Sequence, residues 1–144
     1  MTYSLPQGAR RSRSAQAYAS IGLETQVFSA SPEHLITLLF DGAQAAIAKA
    51  RLYMENGNTE GRGMAISKAI DIVDSGLKAS IDMEAGGELA TNLTATYELI
   101  IRNLLLANLN TDLAKLNLAD RLLTEIGDAW RTSVDPSRSE ASSL

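Results

Sequence analysis

The sequence has no cysteine, and it is poor in other residue types on which enzymes and metal sites depend. Its 144 residues include one histidine, three prolines and one tryptophan, and aromatic residues make up only 5% of the chain. Without cysteine the chain forms no disulfide, offers no thiolate to a metal and has no thiol nucleophile, which is compatible with a reducing compartment. These shortages exclude a disulfide-stabilised scaffold and leave few residues for catalysis.

Long apolar runs and a positive charge excess are also missing. No apolar run approaches the roughly 20 residues that span a bilayer, and the first residues lack the apolar region of a signal peptide. Thirteen Lys and Arg against seventeen Asp and Glu give a net charge of −4, which disfavours binding to nucleic-acid phosphates. The one dense basic cluster, Arg10, Arg11 and Arg13, is typical of a solvated arm. We expect a cytoplasmic protein that binds neither membranes nor nucleic acid.

The polar residues form none of the constellations that catalysis requires. His34 lies in the first turn of a predicted helix, and the Glu-x-x-His pattern of di-iron bundles does not occur. No glycine-rich phosphate loop and no serine elbow is present. Asp41 has no paired carboxylate, so we interpret it as part of a surface ion pair or hydrogen bond. We expect no enzyme, metal site, cofactor or small-molecule substrate.

What the sequence does contain is four stretches with the apolar periodicity of helices. The first begins at Ser31-Pro32-Glu33, a capping pattern, and ends at Asn56-Gly57-Asn58. The others run from Thr59 or Glu60 to Asp82, from beyond Gly87 to about Asn108, and from about Asn110 to Asp135-Pro136. Because the breaks are short, the pattern predicts an all-α fold, an antiparallel up-down four-helix bundle with a loosely attached N-terminal segment.

The chain is predicted to hold one domain. We expect a disordered leader over residues 1–14, the helical-bundle domain over residues 15–132 and a disordered tail over residues 133–144. At the start of that domain, Tyr18 and Ile21 could line one side of a short helix, but Gly22 weakens it, so we expect a loosely held segment.

Two predicted helices carry more apolar surface than a four-helix core requires. The second has an additional strip of mostly small residues, which predicts a shallow channel beside Ile72: Ala65, Ala69, Ile72, Gly76 and Ala79. In the third, Leu99 and Leu106 share a stripe with Ala95 that points away from the inward residues. An amphipathic helix of a partner can lie on such faces. The N-terminal segment or a second copy of the chain can equally cover them, and the residue types do not decide between these occupants.

A series of short motifs, in order along the chain, resembles the flagellar secretion chaperone FliS family over about residues 15–132. The motifs are Ala17-Tyr18, Ser29-Ala30-Ser31-Pro32, Leu38-Leu39-Phe40-Asp41-Gly42-Ala43, Lys49-Ala50-Arg51, Ser67-Lys68-Ala69-Ile70, Gly86-Gly87-Glu88-Leu89-Ala90-Thr91-Asn92-Leu93 and Asp128-Ala129-Trp130. No single motif is diagnostic, but their ordered occurrence over four helices is highly specific.

The resemblance implies a cytoplasmic export chaperone. Members of this family bind the unfolded C-terminal region of flagellin in an apolar groove, prevent its premature polymerisation and assist type III export. The resemblance is also compatible with further protein partners, such as an export-gate subunit or flagellar regulators. The Arg- and Ser-rich leader departs from the family pattern. The alternative is a non-catalytic homodimeric helical adaptor.

For the binding site, the apolar surplus and the resemblance together predict six client-binding residues: Tyr18, Ile21, Ile72, Ala79, Leu99 and Leu106. The resemblance implies that the segment around Tyr18 can fold over the client groove. Whether Tyr18 contacts the client or acts as a displaceable lid stays open.

Overall fold

The computed structural model describes residues 30–135, which form four helices. These are α1 (Pro32–Glu55), α2 (Thr59–Asp71), α3 (Met83–Asn110) and α4 (Leu113–Ser133). α2 continues into a π-helical segment, Ile72–Leu77, and a 3-10 turn, Lys78–Ser80. No strand occurs between residues 30 and 135, so the predicted all-α four-helix bundle is confirmed. The predicted leader, the segment of residues 15–29 and the tail beyond residue 135 lie outside the described residues.

A side-chain cap begins each helix, because the first backbone N–H groups of a helix have no partner within it. The Ser31 hydroxyl accepts a hydrogen bond from the His34 N–H at 3.1 Å, and the Asn58 side chain accepts one from the Gly61 N–H at 2.9 Å. Asp82 and Asp112 cap α3 and α4 in the same way. Gly57, in the left-handed region at φ 69°, follows α1 and reverses the chain.

Polar contacts between α1 and α4 show that these two helices are antiparallel. At one end the start of α1 meets the end of α4, where His34 Nδ1 lies 2.9 Å from Asp135 Oδ2. Further along the same pair, Arg131 donates to Asp41 at 2.8 Å, and Arg51 donates to Asp120 at 2.9 Å near the opposite end. The interpretation of Asp41 as an ion-pair residue is confirmed.

The core lies along the axis of the bundle and takes apolar side chains from all four helices. The largest fully buried side chains include Phe40 of α1, Ile66 of α2, Leu104 of α3 and Leu123 of α4. Burying one such side chain contributes about 1.5–3 kcal/mol to stability. The bundle extends to Asp135, which is only 3% exposed. It therefore reaches beyond residue 132, where the sequence pattern predicts the start of the tail.

The strip of small residues on α2 is a packing face, which corrects the predicted channel beside Ile72. Ala69 and Ile72 are at most 1% exposed, and a Cβ added at Gly76 would lie 2.9 Å from the Leu39 side chain. α2 is apolar on two sides because it packs against both α1 and α3. The small residues let α1 approach closely, and Leu39 fills the space.

No helix within residues 30–135 is long and apolar enough to cross a bilayer. That part of the chain also has no group of three or more His, Cys, Asp or Glu side chains placed to hold a metal ion.

Candidate functional site

An apolar groove of about 560 Å³ lies at the end of the bundle where α1 begins and α4 ends. We call it the end groove. All four helical stretches of the described chain contribute to it. Its lining residues are Ile36, Phe40, Leu77, Ser80, Ile81, Asp82, Ala85, Gly86, Leu89, Ala90, Leu93, Tyr97, Ile126, Ala129, Trp130, Ser133 and Val134. A concave surface that is apolar with few polar groups is typical of a binding site.

Two glycines shape the wall that α3 contributes. Gly87 has φ 53° and ψ −128°, a conformation that residues with a Cβ rarely adopt, and it interrupts α3 after the short turn that starts at Met83. A Cβ on Gly86 would lie 2.5 Å from that of Ala90, so the close approach there requires glycine. The interruption leaves Leu89, which lines the groove, 74% exposed. An exposed leucine beside an apolar groove is available to a partner.

The opposite wall is attached to the first turns of α1 by hydrogen bonds. The indole N–H of Trp130 donates to the backbone carbonyl of Glu33 at 3.1 Å. The carboxylate of Asp135 accepts a hydrogen bond from the Thr37 hydroxyl at 2.6 Å and contacts the His34 ring at 2.9 Å. A carboxylate near the start of a helix also interacts favourably with the helix dipole. These contacts hold Trp130 and Val134 in place as groove walls.

Tyr97 is the most buried polar side chain among the described lining residues of the groove. The residue is 3% exposed, and its hydroxyl makes no hydrogen bond to residues 30–135. Since no buried side-chain oxygen in the described chain lacks a partner, the hydroxyl oxygen must itself keep some accessible surface. Burial of the ring raises the pKa of Tyr97 above its usual value of about 10. The phenol is therefore neutral and able to donate at physiological pH.

The one charged side chain among the described lining residues of the groove is Asp82. Glu84 and Glu88 are exposed in the same part of α3. Lys78, which follows the lining residue Leu77, is paired with Asp74 and Glu98. Arg131, on the nearby last turns of α4, is already paired with Asp41 and Asp128.

A second apolar surface, the outer stripe, runs along α3 and consists of Ala95, Leu99 and Leu106. Leu99 is 47% exposed while its neighbour Ile100 is fully buried, which confirms that this stripe points away from the core. Ala95 is exposed and Leu106 is half-buried. The outer stripe begins two residues beyond Leu93, the last leucine of the end groove on this helix.

The six predicted client-binding residues do not form one cluster. Leu99 and Leu106 lie together on the outer stripe, and Ala79 is exposed on the 3-10 turn after α2. Ile72 is 1% exposed in the core, so its expected position on an outer face is wrong, because α1 packs over that side of α2. Tyr18 and Ile21 lie outside the described residues.

Sequence reasoning missed the end groove. The helical periodicity places Leu89 and Leu93 on the inward face of the third predicted helix and Trp130 on that of the fourth, yet all three line the groove. The sequence feature that could have indicated the groove is Gly86-Gly87. A break inside a helix can leave the next turn only partly packed against neighbouring helices.

Comparison with known proteins assigns the chain to a family. The model of the family described as flagellar protein FliS matches residues 14–137. The flagellar secretion chaperone FliS of Salmonella typhimurium is 49% identical over 116 residues, which cover 81% of this chain and 86% of that protein. The Escherichia coli protein of the same name is 43% identical, with coverage of 85% and 90%. The Pseudomonas aeruginosa flagellar secretion chaperone FliSB is 38% identical, with coverage of 82% and 93%. The chain therefore belongs to the flagellar protein FliS family.

Proposed function

We propose that this chain is a cytoplasmic, non-catalytic export chaperone that binds the unfolded C-terminal region of flagellin. By covering the apolar face of that region, it prevents premature polymerisation and assists delivery to the flagellar type III export apparatus. The observation that carries the proposal is an open apolar groove with exposed leucines in a chain of the FliS family.

The two apolar surfaces support a client that folds onto the bundle. A disordered segment that orders on binding can contact a large surface at moderate affinity, because the cost of ordering offsets part of the contact energy. The end groove supplies a concave site, and the outer stripe supplies an adjoining face on the same helix. We propose that the client occupies both, with Leu89 and Leu99 as contacts.

Calorimetry with the purified flagellin C-terminal region tests this proposal. The full chain should bind it one-to-one, whereas Leu89→Asp and Leu99→Asp should each bind roughly 10–100-fold more weakly, because each loses an apolar contact of about 1.5–3 kcal/mol. Leu52→Asp is the matched control: Leu52 is 57% exposed near the other end of α1, and its variant should bind normally. Absence of binding by the full chain at micromolar concentration would refute the proposal.

Circular dichroism of the same variants separates binding from folding. Leu52, Leu89 and Leu99 are all exposed, so the three variants should keep the helical signal of the unmodified protein. Ile72→Asp would place a charge in the core and unfold the bundle, so its loss of binding would say nothing about the site.

We further propose that the segment containing Tyr18 and Ile21 adjoins the client site. Comparing the affinity of the full chain with that of a variant starting at Ala30 distinguishes the two roles of Tyr18. Stronger binding by the shortened chain indicates a displaceable lid, and weaker binding indicates direct contact with the client. Equal affinity would remove both residues from the site.

A further inference from the structure

Within residues 30–135, the hydroxyl of Tyr97 is a hydrogen-bond donor without a partner, in a groove whose described lining is mostly apolar. The ring is buried, with 3% of the residue exposed, but the hydroxyl oxygen keeps accessible surface. The other polar side chains of the lining differ from it, because Ser133 is exposed to solvent and Ser80 and Asp82 are already paired. Ser80 donates to the backbone carbonyl of Gly76, and Asp82 accepts from two backbone N–H groups.

Occupation of the groove changes the surroundings of this hydroxyl. In the open groove water can satisfy it. A segment that is apolar throughout would displace that water and leave a buried donor unsatisfied, which costs free energy. A segment with an oxygen acceptor at this point would replace the lost hydrogen bond while keeping the apolar contacts. A site with one fixed polar group therefore discriminates strongly against ligands that leave it unpaired.

We propose that Tyr97 is a specificity-determining residue that donates a hydrogen bond to the bound client. This inference rests on the proposed function and extends it to the chemistry of the client. The bound segment carries apolar side chains and, between them, one acceptor oxygen, either a side-chain amide carbonyl or a backbone carbonyl left free by a break in its helix. Segments that are apolar at this point are disfavoured.

The charge at the groove adds a second requirement. Asp82 lines the groove, Glu84 and Glu88 are exposed in the same part of α3, and none of the described lining residues is a cation. A segment with lysine or arginine beside its apolar side chains complements these carboxylates, whereas an acidic segment is repelled. The raised pKa of the buried phenol supports the same assignment, because a neutral Tyr97 donates and adds no further negative charge.

The first arm of the test compares Tyr97→Phe with the unmodified chain in binding the flagellin C-terminal region. Removing the hydroxyl should weaken binding about three- to tenfold, as expected for one hydrogen bond. Tyr53→Phe is the control, since Tyr53 is a half-buried tyrosine that packs against Gly61 at the other end of the bundle. The thermal midpoint of free Tyr97→Phe should not fall, because the hydroxyl has no partner to lose. Equal affinity of Tyr97→Phe and the unmodified chain would overturn the proposal.

The second arm does not depend on flagellin. Two synthetic amphipathic peptides of Leu, Ala and Lys differ only at one central apolar position, which is Leu in one and Gln in the other. The unmodified chain should prefer the Gln peptide, and Tyr97→Phe should lose or reverse that preference. The same preference in both proteins would overturn the proposal even if flagellin binds. If flagellin does not bind but the preference depends on Tyr97, the proposed function fails and the assignment of Tyr97 stands.

Discussion

At the scale of single residues, the buried carboxylate of Asp135 connects the end of α4 to the start of α1, beside the end groove. It lies beyond the last turn of α4 and contacts two side chains in the first turns of α1, Thr37 and His34. His34 is thus in a first turn, as its position after Ser31-Pro32 indicated, but it is half-buried against an acidic partner about 100 residues away in sequence. The hydrogen bond from Thr37 to this carboxylate should contribute more to stability than one between neutral groups, since a hydrogen bond to a charged group is stronger.

Thr37→Val should destabilise the protein by about 1.5–3 kcal/mol, because the substitution keeps the shape of the side chain but removes a 2.6 Å hydrogen bond to a buried carboxylate. Urea unfolding measures the change. Thr124→Val is the matched control: the Thr124 hydroxyl accepts a 3.3 Å hydrogen bond from Gln44 at a half-buried position, so its loss should cost less than 1 kcal/mol. Equal losses of stability in the two variants would show that the hydrogen bond from Thr37 to Asp135 is no stronger than an ordinary half-buried one.

At the scale of elements, the second helix combines close packing with a local irregularity. Gly61 and Gly76 let α1 approach, with Tyr53 over the first and Leu39 over the second. The π-helical segment that contains Gly76 ends at Leu77, and both Leu77 and Ser80 line the end groove. A wider turn at this point changes the direction of the side chains that follow, and such turns are frequent at functional sites.

Two glycine substitutions on this element should act in opposite directions. Gly76→Ala should destabilise the protein by about 1–3 kcal/mol, because the added methyl would lie 2.9 Å from the Leu39 side chain. Gly63→Ala should stabilise it by about 0.4–1 kcal/mol, since the nearest atom to its added methyl is 3.9 Å away and alanine favours the helix. Thermal unfolding measures the stability of both variants relative to the unmodified protein. If Gly76→Ala is as stable as the unmodified protein, Leu39 moves aside at little cost.

At the scale of the whole molecule, the end groove exists because four separate parts of the chain meet at one end of an antiparallel bundle. α1 and α4 contribute Phe40 and Trp130, and the end of α2 and the start of α3 contribute Leu77 and Leu89. No single helix carries a concave apolar surface. A ligand that fills the groove therefore contacts all four of these parts of the chain. Its binding should stabilise the whole bundle against unfolding.

The flagellin C-terminal region should raise the free energy of unfolding by about 2.7 kcal/mol when its free concentration is 100 times the Kd. Thermal unfolding at increasing peptide concentration measures this. Light scattering gives the assembly state, which should be a monomer of 15.4 kDa when free and a one-to-one complex when bound. A stable dimer that flagellin neither binds nor dissociates would instead favour the homodimeric adaptor.

Local patterns in the sequence determined the four helices and most of the core. The capping pattern at Ser31, the turn at Gly57 and the repeat of apolar residues along α3 act over a few residues, so they can be recognised without a structure. The exposure of Leu99 beside the buried Ile100 follows from the same periodicity. The family resemblance was also visible in the order of short motifs.

The tertiary structure decided which apolar faces are covered. Periodicity shows that Ile72 lies on an apolar face of α2, but only the position of Leu39 and its neighbours on α1 shows that this face is filled. The same limit applies to Leu89 and Trp130, which the periodicity places on inward faces. In the structure both line a groove, because Gly87 interrupts α3 and the indole of Trp130 is hydrogen-bonded to the carbonyl of Glu33. Whether a surface is open depends on residues far away in the chain, and the local pattern carries no information about them.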